Sequence, residues 1–160
     1  MAKELFLVLH NIRSAYNVGA IFRTADGAGV KKIYLCGYTP APYDKQKIYK
    51  TQAEKMIEKT ALGAEKNIPW EKNEKISALL GKFKKNKINV AALEQAANAV
   101  NIKKFKPSFP LALILGNEVD GLSENILKKC SSVISIPMRG QKESLNVSVA
   151  AGIAIYKILV

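Results

Sequence analysis

Short apolar runs alternate with longer amphipathic stretches along this chain. The apolar runs predict strands at residues 5–9, 33–36, 88–93, 111–115 and 133–136. Apolar spacings of three and four predict helices at residues 17–28, 51–62, 73–84 and 144–160, the third ending near Gly81. Pro40 and Pro42 indicate a loop over residues 37–50. Short buried strands separated by helices form parallel sheets, so we predict an α/β fold with a mostly parallel sheet and helices on both faces.

The last predicted helix is apolar almost all round. Such a helix must be buried on most sides, and in a chain of 160 residues its surplus apolar face indicates contact with a second copy. Ser144 is expected to cap this helix. Asn146 and Ser148 interrupt its apolar pattern. Because buried polar groups need partners, we expect both residues to bond either a functional site or their own backbone.

Positive charge is concentrated in the first two thirds of the chain. The sequence has 25 Lys and Arg residues against 13 Asp and Glu, a formal charge of +12. Residues 1–106 contain 20 basic and 9 acidic residues, whereas residues 107–160 contain 5 and 4. A lopsided positive field favours a polyanionic partner such as nucleic acid. The alternative is a lysine-rich surface that only keeps the protein soluble.

Several classes of function lack their motifs. The glycine patterns of dinucleotide and phosphate-loop sites are absent. His10 is the only histidine and no Gly-x-Ser-x-Gly occurs, which argues against a serine hydrolase. We expect no metal site, and Cys36 and Cys130 are expected to be buried free thiols. The apolar run at residues 5–9 is too short for a signal peptide or a membrane span, so we expect a cytoplasmic protein with no membrane partner.

Three stretches that follow predicted strands contain residue types suited to binding. In the first, Asn17 and Gly19 lie at the start of a helix whose free N–H groups suit an anion, and Arg23 offers a planar fork for phosphate. In the second, Gly116 allows close approach of a ligand beyond the end of a strand, and Glu118 lies at the mouth of that crevice. The third, residues 136–151, leads from a strand end into the apolar last helix.

Each stretch also has a purely structural interpretation. Arg23 would then be a surface arginine and Asn17 a helix cap. The second stretch would be a strand–turn–helix connection in which Ser123 caps the helix. Asn146 and Ser148 would bond their own backbone.

Taken together, the three stretches resemble the three sequence motifs of the SpoU/TrmH family of RNA ribose methyltransferases, a branch of the SPOUT superfamily. The first motif of that family is built around Asn-x-Gly with an Arg four residues on, as at Asn17, Gly19 and Arg23. The third reads Ile-Pro-Met-x-Gly and then Ser-Leu-Asn-Val-Ser-Val-Ala, as at residues 136–140 and 144–150.

The second motif of the family has Gly-x-Glu followed by Gly-Leu, as at Gly116, Glu118, Gly121 and Leu122. The order, the spacing and the strand context of all three motifs agree with the family. The resemblance extends over essentially the whole chain, and we expect residues 1–160 to form one SpoU-type methyltransferase domain with no appended RNA-binding domain.

The resemblance implies a fold, a cofactor and a set of site residues. The C-terminal segment is expected to form a deep trefoil knot, and the protein is expected to be a homodimer whose active sites draw residues from both chains. S-adenosylmethionine is expected to bind against Leu93, Gly116, Ile136, Met138 and Leu145.

The catalytic residues implied by the resemblance are Arg23, Asn17, Glu118, Ser144 and Asn146. Arg23 is expected to activate the ribose hydroxyl and to clamp a phosphate, and the others are expected to position Arg23 or the substrate. No metal is needed for this chemistry.

The activity implied is transfer of a methyl group to a ribose 2'-hydroxyl of RNA, with tRNA favoured over rRNA because no RNA-binding extension is present. Residues expected to contact RNA are Arg13, Lys31, Lys32 and the run at residues 82–87. The alternatives are a catalytically silent RNA-binding or assembly factor on the same scaffold, a methyltransferase acting on a base, and a DNA-binding structural protein.

Overall fold

The computed structural model describes residues 2–160, which form seven strands and six helices. The strands are β1 (Leu5–His10), β2 (Lys32–Cys36), β3 (Trp70–Asn73), β4 (Asn89–Leu93), β5 (Val100–Asn101), β6 (Leu111–Leu115) and β7 (Ser132–Ser135). The helices are α1 (Ala15–Ala28), α2 (Gln52–Ala61), α3 (Ala64–Asn67), α4 (Ile76–Lys85), α5 (Glu124–Lys128) and α6 (Val147–Leu159). No helix among these residues is long and apolar enough to cross a membrane.

All strands join one sheet in the order β3-β2-β1-β6-β4-β7-β5, and every paired neighbour is parallel. The predicted α/β fold with a mostly parallel sheet is therefore confirmed. Because the strands are parallel, their carboxyl ends meet at one edge, which is where open α/β sheets bind ligands. We call this the carboxyl edge, and the opposite one the amino edge.

The sheet separates two apolar clusters. The larger one packs Leu5, Leu7 and Leu9 of β1 against α1, α2 and α6. The other packs Val8 of β1 against α4 and α5. Successive side chains of a strand point to opposite faces, which explains why one strand supplies both clusters and why the central strands are apolar throughout. Helices therefore cover both faces, as predicted.

Three helix boundaries differ from the predictions. α1 begins at Ala15 because the hydroxyl of Ser14 accepts a hydrogen bond from the backbone N–H of Asn17, 3.2 Å away. α4 begins at Ile76 and runs on past Gly81. α6 begins at Val147 with Asn146 as its cap, so the prediction that Ser144 caps it was wrong.

Four short elements were not predicted, namely β3, β5, α3 and α5. β3 has the polar sequence Trp-Glu-Lys-Asn and lies at the edge of the sheet, so it has no apolar pattern to reveal it. Ser123 caps α5, as the structural interpretation of this stretch predicted. Its hydroxyl accepts a hydrogen bond from the backbone N–H of Ile126.

The C-terminal part of the chain passes under an earlier connection. β7 lies between β4 and β5, so residues 94–99, which join those two strands, cross the carboxyl end of β7. The side-chain amide of Gln95 in this connection donates a hydrogen bond of 2.8 Å to the carbonyl of Ile136, directly after β7. This crossing is compatible with the trefoil knot that the family resemblance implies, and the knot itself stays a prediction.

Candidate active site

A cavity opens at the carboxyl edge, beyond the ends of β4, β6 and β7. Its lining combines apolar side chains with the carboxylates of Glu94, Glu118 and Asp120, and we call the part that these carboxylates line its mouth. It is lined by Leu93, Glu94, Gln95, Leu115, Gly116, Asn117, Glu118, Val119, Asp120, Gly121, Ile136, Ser144, Leu145, Val147 and Ala150. Six residues predicted from the family motifs are among them: Leu93, Gly116, Glu118, Ile136, Ser144 and Leu145. These six converge from three strand ends and from the segment before α6.

The segment at residues 137–145, which joins β7 to α6, makes no hydrogen bond with any other residue that the structure describes. Ser144 and Leu145 bring its last part to the cavity. Backbone N–H and C=O groups require partners when water is excluded from them. At Ser144 and Leu145 the segment therefore has free backbone donors and acceptors beside the cavity, and most of the residues before them are exposed.

Glu118 connects the cavity to the start of α1. Its carboxylate accepts hydrogen bonds from the backbone N–H groups of Arg13, at 3.0 Å, and Ser14, at 3.1 Å, and from the side-chain amide of Asn17, at 3.2 Å. Burial alone would raise the pKa of Glu118. These hydrogen bonds outweigh burial and hold the pKa below its ordinary value. Glu118 is therefore an anion fixed at the mouth of the cavity.

Asn17 links the second motif to the third. Its side-chain oxygen accepts a hydrogen bond of 3.2 Å from the side-chain amide of Asn146. The side-chain oxygen of Asn146 in turn accepts hydrogen bonds from the backbone N–H and the hydroxyl of Ser148. Both residues predicted to need partners therefore have them. Asn146 is nevertheless an exposed helix cap and not a buried group within the helix, which corrects that expectation.

Arg23 lies apart from this network within one chain. It is exposed on α1, six residues beyond Asn17 and therefore about 9 Å further along the helix axis. It lines a separate surface hollow together with Ala20, Thr24, Lys59, Thr60 and Tyr156. Met138 is also absent from the residues that line the cavity. The structure thus brings eight of the ten predicted site residues together and leaves Arg23 and Met138 outside.

Packing explains two motif glycines, and for Gly116 the reason differs from the predicted one. A Cβ atom on Gly116 would come within 2.7 Å of the Leu122 side chain and 2.8 Å of the backbone of Gly121. The space above Gly116 is therefore taken by the turn that follows it, not by a ligand. A Cβ atom on Gly19 would collide with Thr60 and with the carbonyl of Ile57, so Gly19 lets α1 and α2 pack closely.

Sequence reasoning missed Glu94, Asn117 and Asp120. Glu94 directly follows β4, and its carboxylate accepts the backbone N–H of Leu122 at 2.8 Å. Asn117 is buried, and its side-chain oxygen accepts the backbone N–H groups of Val119 and Asp120. The position of Glu94 at a strand end was a signal that could have been used. The local role of Asn117 needed the turn geometry.

The residues predicted to contact RNA lie at opposite edges of the sheet. Arg13 follows β1 at the carboxyl edge and is exposed. Lys31 and Lys32 lie at the start of β2, at the amino edge, and are paired with Glu4 and Glu71. Residues 82–87 also lie at the amino edge, since they end α4 and precede β4. Only Arg13 in this set therefore lies near the cavity.

Cys36 is buried, Cys130 is partly buried, and both are free thiols, as predicted. Within residues 2–160 no three His, Cys, Asp or Glu side chains are grouped so that they could hold a metal ion.

Fold and site together define an α/β protein with a cavity at the carboxyl edge of a parallel sheet, the place where this class of fold binds ligands. The chain belongs to the SpoU rRNA methylase family, whose model matches residues 4–156.

Individual relatives agree with this family. The chain is 34% identical over 156 residues to the 23S rRNA (guanosine-2'-O-)-methyltransferase RlmB of Haemophilus influenzae, a match that covers 97% of this chain and 59% of the relative. Other curated relatives are matched over 58% and 57% of their length, so this chain spans less than two thirds of the curated proteins it resembles.

Solved structures share the fold. The TrmH/SpoU tRNA modifying enzyme of A. aeolicus superposes with a TM-score of 0.81 at 30% identity, over 98% of this chain and 74% of that one. The AdoMet-bound rRNA methyltransferase of Sinorhizobium meliloti superposes with a TM-score of 0.84 at 26% identity, over 99% and 56%.

Proposed function

We propose that this protein transfers a methyl group from S-adenosylmethionine to a ribose 2'-hydroxyl of RNA. The observation that carries the proposal is the hydrogen-bonded chain from Glu118 through Asn17 to Asn146. It joins residues of all three family motifs, with Asn17 lying 101 positions from Glu118 and 129 positions from Asn146 in sequence. Glu118 lines the cavity, so the network lies beside it. A helix cap alone would not require the first motif to meet the other two there.

The names of relatives support RNA as the substrate but not a particular RNA. The H. influenzae relative is named as a 23S rRNA enzyme, and the A. aeolicus structure as that of a tRNA modifying enzyme. The preference for tRNA expected from the absence of an extension finds no support in these names. We therefore propose RNA as the substrate, with tRNA and rRNA both tested as methyl acceptors.

The cavity has the properties that S-adenosylmethionine requires. The apolar side chains of Leu93, Leu115, Ile136 and Leu145 suit an adenine ring, and the unpaired backbone of Ser144 and Leu145 offers donors and acceptors for its polar edge. The carboxylates of Glu94, Glu118 and Asp120 suit the positive sulfonium. When bound, S-adenosylmethionine supplies a methyl group on sulfur that is reactive toward a nucleophilic oxygen.

The residues of this chain have the task of placing the ribose and assisting transfer of its 2'-hydroxyl proton to solvent water as the oxygen accepts the methyl group. Glu118 fixes the start of α1 and orients the Asn17 amide, and Asn17 fixes Asn146. A site held by mutual hydrogen bonds can position the 2'-oxygen in line with the methyl group without reorganising during the reaction. Arg23 acts as a phosphate clamp and as an activator of the hydroxyl rather than as a base, because a guanidinium offers five N–H donors and no acceptor.

Arg23 does not line the cavity of its own chain, and we propose that it acts at the cavity of a second chain. The exposed apolar surface of α6 supports such a homodimer. Val149, Ile153 and Tyr156 recur at helical spacing on α6, and each is between 42% and 51% exposed. A contiguous apolar stripe of this kind on a soluble domain marks a protein contact. Tyr156 also lines the surface hollow that contains Arg23, so pairing two chains through this stripe brings Arg23 to the subunit boundary.

Among the residues predicted to contact RNA, Arg13 remains the best supported because it lies beside the cavity. Lys31 and Lys32 are engaged in ion pairs and lie, with residues 82–87, at the far edge. A cytoplasmic location remains part of the proposal, supported by the two free thiols and by a substrate class that is found inside cells.

The test is transfer of labelled methyl from S-adenosylmethionine to unmodified tRNA and to unmodified rRNA. The native protein is expected to label one of them. Arg23→Ala is expected to lower the rate at least about 100-fold with unchanged affinity for S-adenosylmethionine. Lys59→Ala, which removes a cation from the same surface hollow, is the matched control and is expected to keep the rate within a few-fold. Binding of both ligands by native protein without transfer would instead support the silent RNA-binding alternative.

A further inference from the structure

Tyr38 is an aromatic side chain presented to solvent at the carboxyl edge. It lies directly after β2, and 57% of its surface is exposed. Its ring belongs to neither apolar cluster and pairs with no other aromatic ring. An exposed tyrosine alone is unremarkable, since many solvent-facing aromatic rings simply move freely.

Hydrogen bonds hold Tyr38 at its backbone and at its hydroxyl. Its backbone N–H donates a hydrogen bond of 3.1 Å to the side-chain oxygen of Asn11, and its hydroxyl accepts one of 2.7 Å from the side-chain amide of Asn117. Asn117 is buried, and the same amide donates 2.9 Å to the carbonyl of Asn11. The orientation of the ring is therefore built into the fold and is not an accident of an open surface.

The backbone accepts two uncommon conformations to make this arrangement. Asn11 has a φ of 54° and Gly37 a φ of 62°, both in the left-handed region that side-chain-bearing residues rarely adopt. A Cβ atom on Gly37 would collide with the side chain of Asn11. Asparagine adopts this region more readily than other residues that carry a side chain, and the hydrogen bond from the Tyr38 backbone to its side chain holds Asn11 there.

The position of the ring relates it to the proposed substrate. Asn117, which holds the hydroxyl of Tyr38, lines the cavity between Gly116 and Glu118. Arg13, at the same edge, has its backbone bound to Glu118 and its side chain exposed. A ribose held at the mouth of the cavity has its base directed outward, and single-stranded bases are bound by stacking on aromatic rings, with arginine contacting the phosphate.

We infer that Tyr38 is a substrate-binding residue whose ring stacks against a base of the RNA at the mouth of the cavity. This inference rests on the proposed function for the identity of the substrate. Because stacking requires only the face of the base, Tyr38 contributes affinity and placement with little preference for one base over another.

The test measures binding and transfer separately. Tyr38→Ala is expected to weaken the dissociation constant for the RNA substrate about tenfold, to leave affinity for S-adenosylmethionine unchanged and to remain a folded protein of unchanged oligomeric state. Tyr38→Phe keeps the ring and is expected to stay within about threefold of the native protein. Tyr49→Ala, the same substitution at an 83% exposed tyrosine in the same loop, is the control and is expected to have no effect.

Three results would overturn the inference. The first is unchanged RNA affinity in Tyr38→Ala. The second is an equal loss in Tyr49→Ala, which would assign binding to the whole loop. The third is loss of S-adenosylmethionine affinity or of the dimer in Tyr38→Ala, which would make the residue structural. Because RNA affinity is measurable without methyl transfer, failure of the proposed reaction in the native protein is distinguishable from each of them.

Discussion

Glu118 illustrates how a single side chain organises this site without an opposite charge. Three N–H groups from the start of α1 converge on its carboxylate. Donors at the N-terminus of a helix lack intrahelical partners, so an anion there satisfies them and interacts favourably with the helix dipole. The same interaction that stabilises α1 therefore also fixes a carboxylate at the cavity.

This arrangement predicts a pH-dependent contribution of Glu118 to stability. Glu118→Gln is expected to lower the free energy of unfolding by about 1–2 kcal/mol at pH 7, because hydrogen bonds to a charged acceptor are lost. Since the folded-state pKa lies below the ordinary value, this contribution is fully present above the unfolded-state pKa of about 4.3 and disappears as pH falls through the folded-state value. Urea unfolding of both proteins from pH 7 to pH 3 measures it.

Glu143→Gln is the control for this experiment, because Glu143 is exposed and its substitution is expected to change nothing. A difference between native protein and Glu118→Gln that stays constant down to pH 3 would contradict the account of Glu118.

The two thiols are predicted to be unreactive in the folded protein. Burial raises the pKa of Cys36 to about 12 and that of Cys130 to about 11. The thiolate is the reactive form, so neither residue is expected to react appreciably with a disulfide reagent at pH 8 in the folded protein, and both are expected to react in urea. Rapid reaction in the native state that disappears in Cys36→Ala would contradict the burial of that residue.

At the scale of elements, two helical glycines are predicted to respond oppositely to the same substitution. Gly19→Ala is expected to destabilise the protein by about 1–3 kcal/mol, because the added methyl overlaps α2. Gly81→Ala in α4 meets nothing within 4 Å and is expected to stabilise by about 0.5–1 kcal/mol through helix propensity. Thermal or urea unfolding compares them, and equal effects would contradict the close packing of α1 on α2.

The elements that sequence analysis predicted were those with a strong apolar pattern. β1 and β6 are buried in the middle of the sheet, so their sequences are continuous apolar runs. β3 was missed because an edge strand of polar residues depends on its neighbour for pairing. The start of α6 was misplaced because apolar residues such as Leu145 continue upstream of the capping residue Asn146, and an apolar pattern does not show where a helix begins.

The family motifs predicted part of the site and missed the rest. Motif residues at strand ends converge because parallel strands end at one edge, and Leu93, Gly116 and Ile136 do so. The position of Arg23 was not predictable in this way, because a residue two turns into a helix lies away from the strand end that precedes it. Asn117 and Tyr38 were missed because their relation depends on a hydrogen bond between loops 79 positions apart.

At the scale of the whole molecule, the apolar stripe of α6 predicts a dimer that can be broken by charge. Val149→Glu combined with Ile153→Glu is expected to produce monomers in sedimentation experiments, because both side chains are half exposed in the single chain and would be buried on association. Ile48→Glu, at an 86% exposed residue outside the stripe, is expected to leave the dimer intact. A dimer that survives the double substitution would contradict the proposed interface.

Negative and positive side chains are concentrated at opposite edges of the sheet. The cavity mouth carries Glu94, Glu118 and Asp120, whereas the lysines of residues 82–87 lie at the opposite edge. These carboxylates favour the cationic methyl donor, and the proposed function requires RNA to be held around the mouth rather than inside it. We propose that Arg13, Tyr38 and the Arg23 of a second chain hold it there.

The position of the transferred methyl group tests the central claim most directly. RNA labelled by the native protein would be digested to nucleosides and the methylated product identified by mass spectrometry. We predict a single 2'-O-methylated nucleoside whose formation is lost in Arg23→Ala. A methyl group found on a base, or no methylated product from either tRNA or rRNA although the protein binds S-adenosylmethionine, would contradict ribose 2'-O-methylation as the function of this site.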